Sequence, residues 1–149
     1  MPAYLAIDVG TDRLAAGVVN DYGDVLVRDR VATPARDVWP ALHRLVRRVT
    51  AARPDDADPL ERCGVSCEGP IDRDAGTVSP LHITVWDHFT LQERIRELTD
   101  LPTVLDTTAH ARVLAEHWMG AARGVDDVMV LMLSDAVEAG VICNGRLLH

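Results

Sequence analysis

Residues 4–20 read Tyr4-Leu5-Ala6-Ile7-Asp8-Val9-Gly10-Thr11-Asp12-Arg13-Leu14-Ala15-Ala16-Gly17-Val18-Val19-Asn20. An apolar run closing on a carboxylate, a glycine turn and a second apolar run predict two strands joined by a short loop. Asp21-Tyr22-Gly23-Asp24 supplies the next turn and Val25–Thr33 a third strand, so the chain opens as an antiparallel meander. Further on, Val38, Ala41, Leu42, Leu45, Val46 and Val49 recur at helical offsets, which predicts a helix over 38–53 with Asp37 as its N-cap. An acidic loop at 54–59 ends it. Cys63–Cys67 reads as a short buried strand, and Glu68-Gly69-Pro70 turns the chain.

Thr90-Leu91-Gln92-Glu93 has the pattern of a capping box opening a second helix. Thr103–Asp106 reads as a strand, and Thr107 or Thr108 caps a third helix reaching Trp118. Trp39 and Trp118 fall at helix positions and are expected in the core. Val128–Leu133 and Val137–Cys143 form a last pair of strands joined by Ser134-Asp135-Ala136. Antiparallel strands followed by crossovers in this order predict an α/β protein of ribonuclease H-like, actin-like ATPase fold, with a mixed sheet, flanking helices and a C-terminal β-hairpin.

Composition narrows the function. The 149 residues are 48% hydrophobic and carry a net charge of −8, enough for a core without disulfides and unsuited to nucleic acid or an anionic membrane surface. No run of 18 apolar residues occurs, and Met1–Gly10 reads as a first strand and not as a signal peptide. All 15 basic residues are arginines, so Schiff-base chemistry and a Walker A lysine are excluded. Three cysteines without metal-like spacing predict free thiols in a reducing, cytoplasmic setting.

The chain resembles the ROK family (repressors, open reading frames, sugar kinases). Leu5-Ala6-Ile7-Asp8-Val9-Gly10 with Leu14-Ala15-Ala16-Gly17-Val18-Val19 is similar to that family's first phosphate hairpin, and Gly64-Val65-Ser66-Cys67-Glu68-Gly69-Pro70-Ile71-Asp72 to its central strand and turn. Ser79-Pro80 and Trp86-Asp87 flank what would be the sugar loop, and Leu101-Pro102-Thr103-Val104-Leu105-Asp106 leads into what would be the catalytic helix. Ala121-Ala122-Arg123-Gly124 and Val141-Ile142-Cys143-Asn144-Gly145-Arg146-Leu147 complete the series. The resemblance implies a first α/β domain over 1–122. It also implies that 123–149 is a β-hairpin remnant of a second domain, packed on the first or on a partner chain. The zinc-binding segment and most of that second domain are expected beyond residue 149. No N-terminal helix-turn-helix is read, so the repressor branch is not expected.

Departures from the family pattern carry the functional reading. The phosphate loop of active members reads Asp-x-Gly-Gly-Thr-Lys, whereas here Asp8-Val9-Gly10-Thr11-Asp12-Arg13 puts a carboxylate at the threonine position. The catalytic helix of active members starts Asp-Asn-Asp-Ala-Asn. The matching Asp106-Thr107-Thr108-Ala109-His110 leaves Thr108 at the base position, where a hydroxyl cannot act as general base near neutrality. His82 replaces a sugar-contacting asparagine, and Ser134-Asp135-Ala136-Val137-Glu138 replaces a Gly-Thr-Gly phosphate loop. Asp12 and Asp135 therefore stand where the resemblance would seat phosphates. At roughly 5 Å and an effective dielectric of about 20, each such pair opposes binding by about 3 kcal/mol.

These changes predict a protein that is not an active sugar kinase. The expectation is a former sugar and ATP cleft turned to acid/base chemistry on a small molecule, of isomerase, cyclase or lyase type. Asp12, His110, Asp135 and Glu138 are the expected catalytic groups; Asp8, Glu68, His82, Trp86, Asp106 and Thr108 are the expected substrate contacts. Asp106 reads alternatively as a helix cap, Trp86 as part of a packed loop, and Glu68 as a group facing water. A catalytically silent sugar-binding or protein-interaction module is the second reading, and a fragment or subunit of a sugar kinase the third. No cofactor and no resident metal are expected; His110 and His117 lie about 10 Å apart along one helix face. The apolar hairpin at 128–143 is expected to make a homodimer.

Overall fold

The computed structural model describes residues 2–134 and 136–149, in two compact units, 1–106 and 107–149. In the first, β1 (Ala3–Val9), β2 (Arg13–Asn20) and β3 (Val25–Ala32) form the expected antiparallel meander. β1 also pairs in parallel with β4 (Leu60–Cys67), and β7 (Thr103–Thr107) lies beyond it, giving the order β3-β2-β1-β4-β7. β4 begins three residues before the expected Cys63 because Leu60 still finds a partner in Ala3.

Alternation decides which face is buried. Leu5, Ile7 and Val9 of β1, Leu14, Ala16 and Val18 of β2, and Cys63, Val65 and Cys67 of β4 share the core with Leu42, Leu45, Val46 and Val49 of α1 (Val38–Ala51). Leu91 and Ile95 of α2 (Leu91–Thr99) join them. Truncating a side chain as enclosed as Leu45 to alanine costs about 2–5 kcal/mol. The turn between β2 and β3 is closed by Asn20, which is buried. Its Oδ1 accepts from the N–H groups of Tyr22 and Asp24 at 3.0 and 2.8 Å, and its Nδ2 donates to Asp24 at 2.9 Å. Gly23, at φ 83°, permits that reversal.

Neither expected side-chain cap forms on α1 or α2. Asp37 precedes α1 in a left-handed conformation, φ 57°, without a side-chain bond to the helix. Thr90 likewise makes no cap bond; the Gln92 N–H instead donates to the Gly76 carbonyl at 3.3 Å, a tertiary substitute. Gly76 belongs to a small hairpin, β5 (Ile71–Asp72) and β6 (Thr77–Val78), too short for any periodicity to announce.

The second unit packs α3 (Thr108–Met119) on a three-stranded antiparallel sheet of order β10-β9-β8. β8 (Val128–Leu133) and β9 (Val137–Cys143) match their expected bounds, and β10 (Arg146–Leu147) adds a third strand. Here the division differs from the expected break at 122–123, because α3 groups with this sheet. Gly140 of β9 allows the approach: a Cβ there would strike the Ala109 carbonyl and come within 2.7 Å of Val113 Cγ1. Thr107 caps α3, its hydroxyl accepting from the His110 N–H at 3.1 Å. Trp118 is 52% exposed and not in the core as expected, since α3 turns that position to solvent. Among the described residues, no helix is long and apolar enough to cross a membrane, and Cys63, Cys67 and Cys143 form no disulfide.

Candidate functional site

The loop from Gly10 to Arg13 joins β1 to β2 and is tied down on both sides. The Gly10 N–H donates to the Arg13 carbonyl at 3.0 Å. The Thr33 N–H donates to the Asp12 carbonyl at 3.0 Å, and the Thr33 hydroxyl to the Gly10 carbonyl at 2.8 Å. At the end of β4, Glu68 reaches across to this loop. Its carboxylate accepts from the Thr11 hydroxyl at 2.5 Å and from the Thr11 N–H at 3.4 Å. Glu68 is thus engaged with the first loop.

Asp8 has its own partner. The parallel register sets Asp8 opposite Ser66, whose hydroxyl donates to the Asp8 carboxylate at 2.7 Å. Two carboxylates, Asp8 and Glu68, thus sit at the β1 and β4 ends with hydroxyl partners, half-buried. Asp12 is exposed, and its carbonyl accepts the Thr33 N–H.

His82 and Trp86 belong to the loop between β6 and α2 and part company there. Trp86 is 5% exposed and stacks on Phe89, ring centroids 4.2 Å apart and planes at 4°, within the core. The Arg94 guanidinium covers the Phe89 ring at 4.9 Å and the Trp39 ring at 5.5 Å. His82 is exposed. Its neighbour His88 pairs with Asp87 at 2.7 Å and is held by the Ser79 hydroxyl, which accepts from the His88 N–H at 2.9 Å.

Asp106 is a residue of β7 and not the helix cap, a role Thr107 takes. Its carboxylate faces Arg73 at 3.6 Å, a partner that no local pattern announces. A cleft of about 700 Å³ in the same unit is lined by Gly76, Gln92, Arg96, Asp100 and Thr103 among others; none of the expected site residues lines it.

In the second unit, Thr108 and His110 occupy the first turn of α3. Thr108 is buried, and among the described residues its hydroxyl oxygen has no hydrogen-bond partner. His110 stands edge-on to His149, ring centroids 5.4 Å apart and planes at 79°. The sequence neighbourhood of His149 carries no signal for this contact. Glu138 is half-buried in β9 opposite Met132. Asp135, the remaining expected catalytic group, lies outside the described residues.

A meander followed by a parallel crossover strand is the mixed sheet of the actin-like ATPase fold, shared with solved ROK sugar kinases. The ROK family model matches residues 4–149, and the chain belongs to the ROK family. It is 25% identical to a glucokinase of Halalkalibacterium halodurans over 98% of this chain and 46% of that protein. With an N-acetylmannosamine kinase of Escherichia fergusonii it shares 30% identity, over 97% of this chain and 48% of that one. The crystal structure of a ROK family glucokinase from Streptomyces griseus, in complex with glucose and AMPPNP, superposes with a TM-score of 0.82 at 28% identity. That match covers 97% of this chain and 46% of the other. The chain spans about half the length of the curated relatives it matches.

Proposed function

We propose that this ROK-family chain binds a sugar or a related neutral small molecule and does not transfer phosphate to it. One observation carries the reading: Glu68 already takes both donors of Thr11, in the loop where the family resemblance would cradle phosphate. A phosphate settling there would have to displace one anion and approach another at Asp12. Phosphoryl transfer depends on amide donors and positive charge around the phosphates, and these carboxylates work against both. The sugar half of the reading is supported by the relatives, named as a glucokinase and an N-acetylmannosamine kinase.

Two titrations test this. Calorimetry with ATP and magnesium is expected to give no heat of binding; a micromolar affinity overturns the proposal and favours a kinase fragment. Saturation-transfer NMR with glucose and N-acetylmannosamine is expected to show transfer to at least one of them. Absence of transfer to either removes the sugar-binding half.

A second reading, acid/base chemistry on the bound molecule, is favoured by the imidazole pair His110 and His149, a rare grouping of two proton carriers. Asp12, His82 and Glu138 would serve it as further groups. We also propose a second copy of this chain as partner. β8 ends the sheet of its unit, and Met129, Leu131, Leu133 and Val137 leave an apolar face more than half exposed. Two such edges can pair antiparallel about a twofold axis.

A further inference from the structure

We propose that His110 and His149 form a binding site for a borderline transition-metal ion, such as Zn²⁺ or Ni²⁺. The inference goes beyond the reading above and does not depend on it. The two residues are 39 positions apart, yet one ring nitrogen of each lies within 4.8 Å of the other. A tetrahedral Zn²⁺ with nitrogen ligands at 2.0–2.1 Å holds them about 3.4 Å apart, so a small rotation of either ring closes the difference.

Both rings are presented by ordered backbone. His110 follows the Thr107 cap in the first turn of α3, and Gly140 lets that turn sit against β9. His149 follows β10, which the Asn144-Gly145 turn, φ 50° and 72°, folds back on β9. That turn is itself anchored: the Gly145 N–H donates to the Asp126 carbonyl at 2.9 Å, and the Asn144 N–H to the Asp127 carboxylate at 2.9 Å. The Leu148 N–H then donates to the Val141 carbonyl at 2.9 Å, fixing the backbone next to His149.

The donor set selects the ion. Neutral imidazole suits zinc, nickel and copper, whereas magnesium and calcium require oxygen ligands. Two nitrogens leave the remaining positions of the ion for oxygen donors. Acid weakens such a site because the ligands must be unprotonated.

The experiment is calorimetry on the tag-free chain with Zn²⁺, Ni²⁺ and Mg²⁺. The expected result is one equivalent of Zn²⁺ or Ni²⁺ and none of Mg²⁺. His110→Gln and His149→Gln are each expected to weaken binding at least about tenfold, the range seen when a metal ligand or its support is lost. His82→Gln and His88→Gln are expected to leave it unchanged. His149 is exposed, so its variant keeps the fold, which circular dichroism verifies. Absence of uptake of both ions, unaltered affinity in both ligand variants, or loss of binding with His88→Gln overturns the proposal.

Discussion

Glu68 and Thr11, 57 residues apart in the chain, meet through two hydrogen bonds, hydroxyl to carboxylate at 2.5 Å and amide to carboxylate at 3.4 Å. The contact fastens the β1–β2 loop to the end of β4 with a charge as acceptor. Glu68→Ala is expected to lower stability by about 1–2 kcal/mol, since half-buried donors lose a charged acceptor. In a chain of this size that appears as a fall of roughly 3–6 °C in the melting temperature. Glu68→Gln, which keeps an oxygen acceptor, is expected to fall less. A melt of Glu68→Ala at the wild-type temperature would show the contact to be idle.

Two glycines separate close packing from open space. Gly140→Ala drives a methyl into the Ala109 carbonyl and Val113, and is expected to cost about 1–3 kcal/mol. Gly64→Ala meets nothing within 4 Å and is expected to be neutral or slightly stabilising. Urea titrations of both variants give the comparison, and equal midpoints would contradict it.

The cysteines differ in reactivity for physical reasons. Burial pushes the Cys63 thiol up to about 12, so at pH 8 it should resist a disulfide reagent until the chain unfolds. Its folded value stands above the ordinary 9.0, so its contribution to stability is complete below pH 9 and is lost as pH rises from 9 toward 12. The Asp127 carboxylate, as hydrogen-bond partner, raises the Cys143 thiol too. Asp127→Asn should therefore speed Cys143 labelling at pH 8, and an unchanged rate would remove Asp127 as the cause.

The proposed pairing of two copies through β8 has a direct check. Leu131 is 58% exposed, so Leu131→Lys should leave the monomer fold intact while placing a charge in the shared face. Light scattering is expected to give a dimer for the unaltered chain and a monomer for the variant. A monomer in both cases ends the pairing argument.

Long periodic segments were the most legible part of the fold. The meander, α1, β8 and β9 follow from alternation or helical offsets alone, because one face of each is mostly apolar. Caps were less legible. Thr90 carries the right residue types, yet the Gly76 carbonyl, brought in by tertiary structure, satisfies the helix start instead. β10 had a readable signal in Asn144-Gly145, a dipeptide that favours tight hairpin turns. The β5–β6 hairpin had none. At the candidate site, the local patterns pointed to Asp8 and Glu68 singly and not to Thr11. The meeting of Glu68 with Thr11 depends on the β1–β4 register, a long-range pairing that no local window contains.

That register has an evolutionary corollary. Since the side chain at 68 fills the donors at 11, the two positions form one heritable unit: replacing Glu68 alone strands an amide and a hydroxyl, and replacing Thr11 alone strands an anion. A change of ligand at this loop would therefore require both positions to be revised together.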